Sequence, residues 1–181
     1  FPYFCSMNYE EIKQLRAYAR YDGIYLAIVW AASFTCFLAS PLLGILATFS
    51  SILTLSTPFF VAYRLKVYRE IGLNGTISFK RAYFYCIRVF MNAALLFSLA
   101  QWLYMNFLDH GKVASMVASI TSLPEYDSFF AALGISREEF TATLPEAFSA
   151  TPMVINSLMY EIFFGAIISL IVSALMARNK K

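Results

Sequence analysis

Apolar positions along the chain fall into four long runs separated by polar stretches. The first run, from about Gly23 to Ser40, holds no charged residue. Its length approaches the ~20 residues that carry a helix across a hydrocarbon core. Pro41 allows a tight turn, and a second run continues from about Leu42 to Tyr63. The link is too short to hold a domain, so these two spans are expected to be antiparallel neighbours. Pro58 predicts a kink near the far end of the second span. The third run, about Ala82 to Leu108, exceeds what a bilayer needs and predicts tilt or projection from the surface. Its ends carry Tyr83, Phe84 and Tyr85 on one side and Trp102, Tyr104 and Phe107 on the other, as in the aromatic belts of two interfaces. The fourth run extends from about Met153 to Ala177.

The polar stretches have their own periodicity. In residues 8–20, Tyr9, Ile12, Leu15 and Ala19 recur at helical spacing opposite Lys13, Gln14 and Arg20. Asn8 suits an N-cap, and Glu10 and Glu11 suit a first turn. Two readings fit: a short amphipathic helix lying on anionic headgroups, or a helical extension of the first span. Residues 64–81 form a loop with turn signals at Gly72, Asn74 and Gly75. The flanking apolar runs are too short for strands, and Ser78 is placed to cap the third span. Residues 109–152 predict short helices over 112–123, 125–133 and 137–149. Leu133-Gly134 marks a helix end, and Ser136 with Glu139 forms a capping box. This small segment is expected to pack down onto the ends of the spans.

The fold class that follows is an all-α integral membrane protein. It is a four-transmembrane-helix bundle in a single membrane domain, residues 1–181, with a short N-terminal amphipathic helix and a small helical external segment at 109–152. Composition agrees: 60% of residues are hydrophobic and 14% charged, where soluble domains carry about 25% charged residues. Mean hydropathy is +0.62. The net charge of +3 does not point to nucleic acid, because the basic residues flank spans rather than forming a face interleaved with aromatics.

Charge adds orientation. Eleven of the 14 lysines and arginines lie in three clusters: Lys13, Arg16 and Arg20; Arg64, Lys66, Arg69, Lys80 and Arg81; and Arg178, Lys180 and Lys181. Segment 109–152 holds only Lys112 and Arg137 against six acidic residues. The positive-inside rule then puts both termini and loop 64–81 in the cytoplasm and segment 109–152 outside. The chain starts at Phe1 without an initiator Met, so the numbering is expected to begin within a longer product, and no signal peptide is evident. Cys5, Cys36 and Cys86 lack metal-site spacing and read as free thiols.

Few residues break the apolar runs. Arg88 lies about six residues into the third span, where it either snorkels to the interface or binds a headgroup; Asn92 shares its face. Glu161 lies about eight residues into the fourth span, where a carboxylate is costly unless protonated or paired. Gln101, at similar depth, is its expected hydrogen-bond partner, with Asn156 and Tyr160 near it; a partner protein or a proton-linked role are the other readings. Arg64, Lys66, Lys80 and Arg81 are candidates for binding a phosphate headgroup. The hydroxyls of the second span, Ser50, Ser51, Thr54, Ser56 and Thr57, suit close helix packing or a polar path, and Gly165, Ser169 and Ser173 form a small-residue packing face. Lone His110 beside Asp109 makes neither a metal site nor a triad. No catalytic residue, metal ligand or cofactor motif is identified.

The order of Tyr68-Arg69-Glu70 through Gly75, Ile77-Ser78-Phe79 and Ala82, then Tyr104, Phe107 and Asp109, then Leu133 through Glu139, and a last span with a basic tail, resembles a bacterial family of membrane proteins named domain of unknown function 4199. The resemblance covers most of the chain and implies four membrane helices; joined to the charge pattern, a bacterial source makes the expected location the inner membrane, with segment 109–152 periplasmic. It brings no activity or site residues. The expected function is that of a non-enzymatic accessory or scaffold subunit of a membrane complex, in contact with anionic lipid and with a membrane-protein partner or further copies of itself. A small oligomeric transporter or lipid-handling protein, and a component acting on lipid-linked substrates, are the alternatives.

Overall fold

The computed structural model describes residues 8–178. Its elements are α1 (Tyr9–Ala39), α2 (Ile45–Leu55), α3 (Thr57–Val67), a π-helical turn (Tyr68–Gly72), α4 (Phe79–Phe107), α5 (Lys112–Thr121), a 3-10 turn (Pro124–Tyr126), α6 (Asp127–Leu133), α7 (Arg137–Ala147) and α8 (Ala150–Met176). Helices α1, α4 and α8 are long and apolar enough to cross a membrane. A fourth span follows if α2 and α3, bent by 40° at their break, are counted as one.

Helix α1 decides between the two readings of the N-terminal stretch. It runs unbroken for 31 residues, about 46 Å at the α-helical rise. The amphipathic stretch is therefore its first part and not a separate surface helix. The Asn8 backbone N–H donates to Glu11 Oε2 at 2.9 Å and starts the helix. Gly23 does not end it, because the missing side chain lets α4 approach: a Cβ there would lie 2.5 Å from Asn92 Cβ.

The second span breaks at Ser56, two residues before the expected Pro58. Pro58 falls in the first turn of α3, where its absent N–H has no intrahelical partner to lose. Ser33 binds the α1–α2 hairpin together: its Oγ lies 2.9 Å from Ser50 O, 3.1 Å from Ser50 Oγ and 2.9 Å from Thr54 Oγ1. The packing role foreseen for Ser50 and Thr54 is thus what they perform.

Helix α4 is the centre. Half of its apolar stretch is buried, against 28% for α1 and 22% for α8. It lies beside α1 in the same direction, with Ala19 next to Asn92 and Phe34 next to Phe97 and Tyr104. Helix α8 packs antiparallel on its other side. The small-residue face is the contact: Gly165 meets Phe90, where a Cβ would fall 2.8 Å from the ring, and Ser169 and Ser173 are fully buried.

The buried core lies toward one end of the bundle, with Leu15, Ala19, Leu26, Val61, Leu65, Tyr68, Tyr85 and Val89 among its members. At that end Arg178 and Ile77 exchange both backbone hydrogen bonds, each 2.9 Å, as an isolated antiparallel bridge. Asn74 and Gly75 make the turn with φ of 53° and 85°. Among the described residues there is no strand. Segment 109–152 forms short helices close to the expected ranges. Gly134, at φ 66°, ends α6, and the Ser136–Glu139 capping box starts α7. Helix α8 begins at Ala150, three residues before the expected start of the fourth span.

Candidate functional site

Two polar constellations break the apolar interior. One closes the core end of the bundle. Asp22, 1% exposed, accepts from Arg64 Nε at 2.6 Å and meets Arg64 Nη2 at 2.5 Å, both through Oδ1. The Tyr85 hydroxyl donates to its other oxygen. The Tyr85 ring stacks on Tyr68 at 4.8 Å. The Tyr68 hydroxyl accepts from Arg81 Nε at 3.1 Å, and Arg81 also reaches Glu11 Oε1 at 2.9 Å and Gln14 Oε1 at 3.1 Å. Gln14 Nε2 donates to Gly72 O at 3.1 Å. Arg69 pairs with Glu70 and donates to Met176 O at 3.0 Å, satisfying a terminal carbonyl of α8. The arrangement is a satisfied structural plate linking α1, α3, α4 and α8. Buried charges persist where both partners are present and hydrogen-bonded.

The other constellation is a cavity of about 530 Å³ further along the bundle. Trp30, Ser33, Phe34 and Phe37 of α1, Ser50, Thr54 and Leu55 of α2, Thr57 and Pro58 of α3, Phe90 and Phe97 of α4, and Tyr160, Glu161, Phe164, Gly165 and Ile168 of α8 line it. Trp30 Nε1 donates to Thr57 Oγ1 at 3.0 Å and so holds the break of the second span open at the cavity wall. Glu161 is the sole carboxyl among these residues. It stands eleven residues into α8, about 16 Å along the helix, deeper than the sequence boundary implies. Its Oε2 is buried without a hydrogen-bond partner.

The expected bond between Glu161 and Gln101 is absent. Gln101 is 3% exposed, yet its Oε1 is also unpartnered, as is Ser98 Oγ near it on α4. Asn156 is exposed and does not line the cavity, whereas Tyr160 does. Of the headgroup candidates, Arg64 and Arg81 are already engaged by Asp22 and by Glu11; Lys66 and Lys80 are exposed. Asn92 Nδ2 donates to Ala19 O at 3.2 Å, and Arg88 is exposed beside Arg16 and Arg20. Cys36 and Cys86 are free thiols, while Cys5, Lys180 and Lys181 lie outside the described residues.

Asp22 is the residue that sequence reasoning missed. Placing the span boundary at Gly23 left it outside. The signal was its register: Leu15, Ala19, Asp22 and Leu26 follow one another by four, three and four residues, a single buried stripe. A carboxylate on that stripe requires a buried cation, and Arg64 supplies it.

No curated protein and no solved structure matches the chain. The family model described as Protein of unknown function (DUF4199) matches residues 21–178, which take in the cavity lining and all of the plate except Glu11 and Gln14. On that match the chain belongs to the DUF4199 family of proteins of unknown function.

Proposed function

We propose that the chain is a non-enzymatic, four-span inner-membrane protein with both termini cytoplasmic and segment 109–152 periplasmic. Its cavity receives the polar end of a lipid-class molecule that donates a hydrogen bond to Glu161. The observation that carries this reading is Glu161, a carboxyl with one buried, unpartnered oxygen, in the wall of a cavity of about 530 Å³, within the ~300–1,000 Å³ typical of small-molecule sites. A buried acceptor without a donor costs free energy, and a guest with a hydroxyl or amine removes that cost. The walls are aromatic and aliphatic, as an acyl or isoprenoid chain requires. The hydroxyls of Ser33 and Thr57 are held by Ser50, Thr54 and Trp30, and no histidine or second carboxylate lines the cavity beside Glu161, which supports binding rather than turnover.

Purification of the full chain in mild detergent, followed by mass spectrometry of extracted lipids, tests this. One lipid class should copurify, and Glu161→Leu should lose it while keeping the helical content. A chain that carries no lipid in the native sequence sinks the reading.

A second reading, an accessory or scaffold subunit, draws on α2. None of its 11 residues is buried, and Ile45, Phe49, Ile52 and Leu55 offer an outward apolar face to a partner helix or a second copy. A stoichiometric protein partner in the same purification, with no bound lipid, would transfer the assignment to it.

A further inference from the structure

Three of the four arginines that no described carboxylate engages converge on one place; the fourth, Arg178, stands apart at the end of α8. Arg16 and Arg20 stand one turn apart on α1, and Arg88 projects from the neighbouring, parallel α4. With Asn92 they line a pocket of about 270 Å³. No acidic residue lines it, and no ion pair among the described residues involves any of the three arginines. Other arginines at this end of the bundle are neutralised inside the protein: Arg64 by Asp22, Arg69 by Glu70 and Arg81 by Glu11. Three guanidinium groups held together without a counter-charge repel one another, and that repulsion is relieved by an anion with several acceptor oxygens.

We propose that Arg16, Arg20, Arg88 and Asn92 form a binding site for a phosphate-bearing anion. Guanidinium groups match phosphate oxygens in pairs, with shorter and stronger hydrogen bonds than neutral donors give. Position favours the phosphate of a lipid headgroup. Arg88 stands nine residues into α4, about 14 Å along it, and its side chain can reach back toward the interface. The site is separate from the Glu161 cavity: Phe90, which lines the cavity, is two residues from Arg88 and therefore about 200° around α4. It does not depend on what the cavity holds. Asn92 fixes one wall, because its Nδ2 donates to Ala19 O at 3.2 Å and ties α4 to α1 within the turn that runs from Arg16 to Arg20.

The test uses the full chain in nanodiscs of phosphatidylcholine with a minor fraction of phosphatidylglycerol, read by native mass spectrometry as lipid retained after activation. The native chain is expected to retain phosphatidylglycerol in preference to phosphatidylcholine. Arg88→Gln and the double variant Arg16→Gln/Arg20→Gln should weaken that preference by about fivefold for each arginine removed. Lys112→Gln, which removes an equal charge from an exposed position at the other end of the bundle, should leave it unchanged. Inorganic phosphate in excess separates the two sources: retention that survives it assigns the site to a headgroup, and displacement assigns it to a soluble phosphate. Equal retention of the two lipids together with no effect of inorganic phosphate would overturn the proposal, and so would a Lys112→Gln loss as large as that of Arg88→Gln.

Discussion

Arg64 Nε lies 2.6 Å from Asp22 Oδ1 although 42 residues separate them along the chain. The contact crosses the hairpin of α1 and α3, and Asp22 is 2% exposed at its side chain against 25% for Arg64. Removing one partner strands the other charge in a medium that cannot solvate it. Asp22→Asn and Arg64→Met are each expected to destabilise the fold by about 3–5 kcal/mol. The double variant Asp22→Asn/Arg64→Met, which keeps an acceptor for the Tyr85 hydroxyl, should recover most of that loss. Unfolding of the three variants in mixed micelles measures the coupling; additive losses in the double variant would show that the pair acts independently.

Gly165 should resist even alanine. An exposed helical Gly→Ala change stabilises by about 1 kcal/mol. Here the added Cβ would fall within 2.8–2.9 Å of three Phe90 carbons. Overpacking costs of about 1–3 kcal/mol then reverse the sign. Gly44, with nothing within 4 Å of its would-be Cβ, is the control and should accept alanine without loss. Thermal unfolding of Gly165→Ala and Gly44→Ala decides it, and a Gly165→Ala chain as stable as the native one would remove the close α4–α8 contact from the account.

Helix α7 should loosen in acid. The Ser136 backbone N–H donating to the Glu139 carboxylate at 2.9 Å holds that carboxyl below its ordinary range, with the Ser136 side chain as the second cause. A carboxyl whose folded value is depressed contributes stability above its unfolded value, near 4.5, and loses it as the pH falls through the folded value. Amide exchange in the first turn of α7 should therefore quicken below about pH 4, and Glu139→Gln should abolish most of that pH dependence. An unchanged profile in the variant would remove the cap as its cause.

The proposed orientation makes a labelling prediction. A cysteine introduced at Asn74 or Arg178 should react with an impermeant maleimide only after the cytoplasmic face is opened, and one at Glu138 should react in intact cells. Native Cys86 is buried and should stay unreactive in both. Reaction at Asn74 in intact cells would invert the topology.

Most of the helices were legible in the hydropathy runs, because a span must be apolar for its whole length. The break at Ser56 was displaced from Pro58 because proline is favoured in the first turn of a new helix and therefore marks a start rather than a bend. The plate at the core end was harder to see. Asp22 reads as the edge of a span, since a charge normally marks that edge, and Arg64 reads as a headgroup binder because it shares its segment with Lys66, Arg69, Lys80 and Arg81. Only the packing of α1 against α3 joins them. Glu161 stood out by its depth, but its surroundings did not: Gln101 shares the Phe90 face of α4 yet lies about 16 Å past the level at which Phe90 meets Gly165, whereas Glu161 lies only one turn from Gly165. Arg16 entered the sequence reading as a positive charge for orientation, and Arg20 also as part of the polar face of residues 8–20. Their convergence with Arg88 depends on α1 and α4 running side by side in the same direction, which local spacing does not reveal.

That shared direction of α1 and α4 bears on the order of assembly. The first hairpin already contains both Asp22 and Arg64, so the carboxylate can be neutralised as soon as α3 follows α1 into the bilayer, before α4 has been synthesised. Tyr85 arrives later and takes the second oxygen. The pairing available within the first hairpin allows insertion with an ion pair instead of a bare charge, and docking of the later helix completes the carboxylate's hydrogen bonding.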